Sequence, residues 1–230
     1  MSRRFGARRR VSLSDTDAAG RLRLDAIARY LQDVASDDWL DAGFDHDAHV
    51  WVVRRTELEL RKPFLPEEAF TIETWCSGVA PSAAARRYSL RGDRAGRIEA
   101  ESIWIHLDHD LRPKRLDRSF AEVYGVSADG RRASTRLSLP AEPPRRGDPW
   151  SFRATDVDRL GHVNNAAYWV PLEEAWAGRL DAPFGAVLEY RRPIDLEDRV
   201  ELAAEDRRAW LVVAGETRAA ASLGGLKGLW

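Results

Sequence analysis

The chain has 230 residues, 44% hydrophobic and 32% charged, with a formal net charge of −1. That supplies enough apolar material for one large core or two small ones packed together. The near-neutral balance argues against nucleic acid and anionic membrane surfaces as partners, and no uninterrupted apolar run reaches membrane-spanning length. Cys76 is the single cysteine, so no intramolecular disulfide can form, which suits a cytoplasmic protein.

In chain order, residues 1–10 are basic with no apolar segment behind them, which reads as a disordered arm rather than a signal peptide. Residues 10–14 are a short strand candidate. Residues 26–40 place Ile27, Tyr30, Leu31, Val34 and Leu40 at helical spacing. Strand-like runs follow at 50–61, 69–79, 85–91 and 98–107, punctuated by Pro63, Pro66, Pro81, Gly92 and Gly96. In the first of these, Val52, Arg54, Thr56, Leu58 and Leu60 fall on one face and Glu57 and Glu59 on the other. Period-two runs between such turns predict an antiparallel sheet.

Residues 129–148 are rich in Pro, Arg and Ser and read as a connection between two units, 1–128 and 149–230. The second unit then repeats the pattern: a strand at 150–154, a helix at 166–180, and strands at 186–192, 199–204, 209–215 and 218–223. A long helix against an antiparallel sheet is an α+β layer architecture. The two units should pack on each other as an intramolecular pseudo-dimer. Further homodimerisation stays open. The arginine pairs Arg86-Arg87, Arg145-Arg146 and Arg191-Arg192 read as solvated faces.

The richest stretch runs from Thr155 to Tyr168 and holds Asp158, Gly161, His162, Asn164 and Asn165. A degraded copy occurs upstream: one constant offset carries Asp15 to Asp156, Asp17 to Asp158 and Gly20 to Gly161. Arg21 stands in the place of His162, and Arg23 in that of Asn164. So long a period points to a duplicated domain rather than a solenoid. Asp17 reads as a structural relic, because its copy lacks the histidine and asparagines. Asp156 reads as a turn or cap residue.

Gly161 permits a left-handed turn and close backbone approach. Backbone amides of Asn165 and Ala166, near the expected helix start, are candidate oxyanion donors. Asn164 is either the helix cap or a group that positions water. The remaining histidines, His46, His49, His106 and His109, show no zinc-like spacing with cysteines or acids, so neither a metal nor another cofactor is expected.

The motif Asp158-x-x-Gly161-His162-Val163-Asn164-Asn165-x-x-Tyr168 resembles the signature of hotdog-fold thioesterases. Trp51-Val52-Val53-Arg54-Arg55, Glu73-Thr74-Trp75, Ile103-Trp104-Ile105, Arg115-Leu116 and Leu188-Glu189-Tyr190-Arg191-Arg192 are similar, in order, to successive blocks of fatty acyl-ACP thioesterases. The resemblance covers roughly positions 10 to 200. It implies a tandem hotdog, each unit a sheet wrapped on a long helix. It implies hydrolysis of acyl-ACP to free fatty acid and holo-ACP, in fatty acid metabolism.

The carry-over is partial. The plant enzymes have an Asp, an Asn two residues on and a His two further; the positions here are Asp158, Leu160 and His162. Their Glu and Cys after the Glu-Tyr-Arg-Arg block correspond to Pro193 and Ile194, so no cysteine nucleophile stands there. What remains is closer to the small acyl-CoA thioesterases: an Asp, a Gly turn and amides at a helix start. Asp158 is then general base or nucleophile, with His162 and Asn164 orienting water or the carbonyl. Tyr168 and Trp51 are assigned to substrate binding, and Trp39, Trp51 and Phe44 to limiting the acyl pocket. Three readings stay open: acyl-ACP as substrate, acyl-CoA as substrate, and a non-catalytic acyl-binding protein.

Overall fold

The computed structural model describes residues 2–45 and 49–228; His46 lies outside them. Ten strands form one antiparallel sheet. They are β1 (Phe5–Arg10), β2 (Val50–Lys62), β3 (Ala69–Ala80), β4 (Ala83–Gly92), β5 (Arg97–Leu107), β6 (Asp148–Trp150), β7 (Phe184–Tyr190), β8 (Val200–Glu205), β9 (Arg208–Val213) and β10 (Glu216–Gly224). Their spatial order is β1-β3-β4-β5-β2-β7-β10-β9-β8-β6. Renumbered within its half, the second set repeats the first and is read backwards. That is what a two-fold axis through the β2–β7 seam produces, where Leu58 pairs with Ala186 and Arg55 with Glu189.

Helix α1 (Leu24–Asp41) buries Leu24, Ile27, Leu31 and Val34 in the main core. This is the apolar stripe that helical spacing gives. Helix α3 (Trp169–Ala175) packs beside α1 and adds Trp169 and Leu172. The expected second helix at 166–180 is thus much shorter. Residues 165–168 turn before it, and Leu180 joins the core from beyond its end.

Three other expectations are corrected. The N-terminal arm is ordered: β1 pairs with β3, from Phe5–Thr74 to Arg10–Ala69, and Arg3 Nε reaches Asp38 Oδ1 at 2.7 Å. Residues 13–15 form a 3-10 turn rather than a strand. Alternation along β2 breaks at a bulge between Val53 and Arg55, which moves Val53 rather than Val52 onto the buried face. Bulged Arg54 donates to the carbonyls of Tyr190 and Arg191 at 2.9 and 3.2 Å.

Helix α2 (Arg118–Ala128) was not expected, although Asp117, Phe120, Tyr124 and Ala128 carry its signal. Asp117 Oδ1 accepts the Phe120 N–H at 2.9 Å, and the other three side chains are buried. They pack with Trp39 and Cys76. Arg86, read as solvated, is largely shielded here and pairs with buried Asp38 at 2.6 Å. The connecting stretch before β6 lies along the sheet: Ser138 and Leu139 donate backbone N–H groups to Glu189, and Trp210 Nε1 donates to the Pro140 carbonyl at 3.0 Å. No helix among the described residues is long and apolar enough to cross a membrane.

Candidate active site

Both copies of the repeated motif fold the same way. A 3-10 turn (Ala154–Asp156) leads into a tight reversal closed by a Val157–Val163 bridge. Asp158 N–H donates to the His162 carbonyl at 2.9 Å, and Gly161 N–H to the Asp158 carbonyl at 3.0 Å. In the first copy a Thr16–Leu22 bridge closes the same loop, with Asp17 N–H on Arg21 O at 2.8 Å and Gly20 N–H on Asp17 O at 2.9 Å. Gly161 takes φ +83° and Gly20 φ +76°, the left-handed region that glycine enters without Cβ strain. The reversal sets Asp158 and His162 opposite each other on adjacent segments.

Their side chains then diverge between copies. Asp158 Oδ1 accepts the Leu160 N–H at 2.8 Å. His162 Nδ1 lies 2.6 Å from Asp195 Oδ1. In the first copy Arg21 Nε instead turns back on Asp17 at 2.8 Å. Asp195 comes from the loop after β7, next to Ile194, whose carbonyl accepts the Val163 N–H at 2.9 Å. Asp195 N–H and Asp198 Oδ2 meet at 2.9 Å, which holds that loop in a turn. Asp195 is the functional candidate that the sequence alone does not single out. Its carboxylate lies just past Pro193 and Ile194, and only the docking of the two loops brings it to His162.

Asn164 acts locally: its Oδ1 accepts the Ala166 N–H at 2.8 Å. The Ala166 amide is therefore already engaged. It also belongs to a turn, because α3 begins only at Trp169. Asp156 Oδ2 accepts the Arg153 N–H at 2.8 Å, as a cap residue does. Tyr168 is buried, its ring 5.3 Å from that of Tyr190. Burial, with the charges of Asp195 and Asp158 adding to it, holds its phenol well above the usual range, so it stays protonated near neutral pH.

A narrow cleft with room for about one water molecule opens beside this segment. Leu31 and Gln32 of α1, Thr56 and Ser102 of the sheet, and Asn165 and Ala166 of the turn are among its walls. Asp158 and His162 are outside that lining. So are two residues expected to touch substrate: Tyr168 sits behind Tyr190, and Trp51 belongs to a separate aromatic cluster. There its ring lies 5.9 Å from Trp39, 5.6 Å from Phe120 and 4.9 Å from His106. Phe44 stacks on Trp39 in the same cluster at 4.2 Å. None of these three large side chains is part of the cleft lining. His49 Nδ1 and His106 Nε2 meet at 3.0 Å. Among the described residues no group of His, Cys, Asp and Glu is arranged to hold a metal ion.

The acyl-ACP thioesterase N-terminal domain model matches residues 3–124, and the C-terminal domain model matches residues 145–220. An uncharacterized protein of Mycobacterium tuberculosis is 34% identical over 223 residues, covering 93% of this chain and 89% of its own. An acyl-ACP thioesterase from Bacteroides thetaiotaomicron superposes with a TM-score of 0.77 at 17% identity, covering 96% of this chain and 97% of that one. The 12:0-ACP thioesterase from Umbellularia californica gives 0.75 at 15% identity, with 96% of each chain covered.

Proposed function

The chain belongs to the acyl-ACP thioesterase family, a family of thioester hydrolases, and from that premise we propose that it hydrolyses fatty acyl-ACP to free fatty acid and holo-ACP. The observation that carries the site assignment is the 2.6 Å contact between His162 Nδ1 and Asp195 Oδ1.

A carboxylate on Nδ1 favours the tautomer whose proton lies there, which leaves Nε2 as the basic nitrogen. His162 then takes the proton of a water whose oxygen attacks the thioester carbonyl carbon. The carbonyl oxygen becomes an oxyanion, for which the Asn165 amide is the candidate backbone donor. Collapse breaks the carbon–sulfur bond, and the imidazolium returns its proton to the departing thiolate. Asp158, opposite His162 on the reversal, orients the water. The pairing with Asp195 favours His162 over Asp158 as base. Asn164 shapes the turn through the Ala166 amide.

The test is thiol release from acyl-ACPs and acyl-CoAs of graded chain length by wild type, Asp158→Ala and His162→Ala. Carrier-selective hydrolysis by wild type that collapses in both variants supports the reading. Faster turnover of acyl-CoA would move the substrate assignment. Activity that survives in both variants would sink the site assignment.

A further inference from the structure

We infer that Gln32, carried on α1, is a catalytic residue that donates a side-chain hydrogen bond to the carbonyl oxygen of the substrate in the cleft. The inference rests on the hydrolase reading above and extends it to a residue contributed by the first half of the chain.

The argument starts from the offset that relates Asp17 to Asp158. The same offset carries Leu24 to Asn165 and Gln32 to Glu173. In one half, Glu173 of α3 reaches the start of α1, where its Oε2 accepts the Leu24 N–H at 2.9 Å. At the reciprocal place, Gln32 of α1 and Asn165 both line the cleft. Thus each helix places one mid-helix residue beside the other half's motif. The two meetings end differently. Glu173 closes its own, with the carboxyl bonded to the backbone, whereas the Gln32 side is the one that opens as a cleft.

The residue types fit that difference. A carboxylate in Gln32's place would face the growing negative charge of a tetrahedral intermediate and repel it. An amide carries two N–H donors and no charge, so it meets an oxyanion without that cost. Its counterpart is fixed: the Tyr190 hydroxyl donates to the Asn165 carbonyl at 3.0 Å and anchors the turn. The Ala166 amide is held by Asn164, which leaves the Asn165 amide as the backbone donor at this wall of the cleft, and Gln32 supplies a second donor from the α1 wall.

The experiment compares wild type, Gln32→Ala and the shape-preserving Gln32→Met, each first checked for an unchanged melting temperature. Two octanoyl-pantetheine analogues serve as probes: an amide, which keeps the carbonyl, and a thioether, in which it is a methylene. Wild type should bind the amide about 5–10-fold more tightly, the worth of one hydrogen bond. Both variants should lose that preference and keep their thioether affinity. In the thiol-release assay kcat should fall about 10–100-fold with KM little changed. A preference for the amide that persists in both folded variants overturns the inference, and so does its absence from wild type. A wild type that discriminates through Gln32 but releases no thiol rejects the hydrolase reading and supports the contact.

Discussion

Glu173 Oε2 accepts the Leu24 N–H at 2.9 Å, so the first turn of α1 is capped by a carboxyl from α3. The residue in the N-cap position, Arg23, makes no side-chain cap of its own. The orphan amide of a helix start is satisfied across the two halves, and that contact ties the half carrying the degraded motif to the half carrying the intact one.

Burial pushes the Glu173 carboxyl up to about 7. The folded state therefore binds this proton more tightly than the unfolded state. Its contribution to stability is fully present below the ordinary glutamate range and is lost as pH rises through about 7. Glu173→Gln keeps an oxygen for Leu24 and removes the titration. The variant should match wild type near pH 4.5 and exceed it by about 1–2 kcal/mol at pH 8.5, allowing for the carboxyl's partial exposure. Urea titrations at both pH values measure this. Parallel pH profiles for the two proteins would refute it.

Asp195 is the partner that decides which His162 nitrogen is basic. Asp195→Asn keeps the size but lets the amide donate to Nδ1, which moves the imidazole proton to the wrong nitrogen. The expected outcome is a loss of about 10²–10³ in kcat with KM near wild type and an unchanged fold. Steady-state kinetics on acyl-ACP decide it. Full activity in Asp195→Asn would show the contact to be a surface pairing only.

What was legible in the sequence is what local chemistry specifies. The reversal at Asp158 to Gly161 was readable because an aspartate and a left-handed glycine make the turn on their own, and its copy at Asp17 to Gly20 repeats both parts. Helix α1 was readable from the spacing of Ile27, Leu31 and Val34. What was hidden depends on distant partners. Asp195 is one carboxylate among many in the chain, and the Val163–Ile194 hydrogen bond helps hold its loop beside His162. The bulge at Arg54 changed which face of β2 is buried, and no residue there announces it. Trp51 fits a pocket wall by composition, yet Trp39 of α1, His106 of β5 and Phe120 of α2 surround it with a different aromatic neighbourhood.

Asp17 and Asp158 occupy equivalent turns, so exchanging each for asparagine separates structure from catalysis. Burial raises the Asp17 carboxyl, but hydrogen bonds and charge from Arg21 outweigh it and leave it below the usual range. Its stabilisation is present above the ordinary aspartate range and fades as pH falls through the lowered value. Asp17→Asn should cost about 1 kcal/mol at neutral pH and leave kcat within twofold. Asp158→Asn should lower kcat about 10²-fold or more with little change in stability. The reverse pattern, activity lost at Asp17 and kept at Asp158, would transfer the site to the first copy.

The two turn glycines offer a matched comparison of backbone strain with crowding. A Cβ on Gly161 would meet nothing within 4 Å, whereas one on Gly20 would lie 3.3 Å from Pro66 Cγ. Both have positive φ, so alanine costs about 1 kcal/mol at either from the backbone alone. Gly20→Ala should cost more than Gly161→Ala, because Pro66 must also give way. Catalysis should order them oppositely. The Gly161 turn sets the facing of Asp158 and His162, so its distortion should reduce kcat about tenfold, while Gly20→Ala leaves turnover intact. Denaturation midpoints paired with thiol-release rates test both orders. A Gly161→Ala enzyme with wild-type kcat would mean that the reversal does not position the reacting groups.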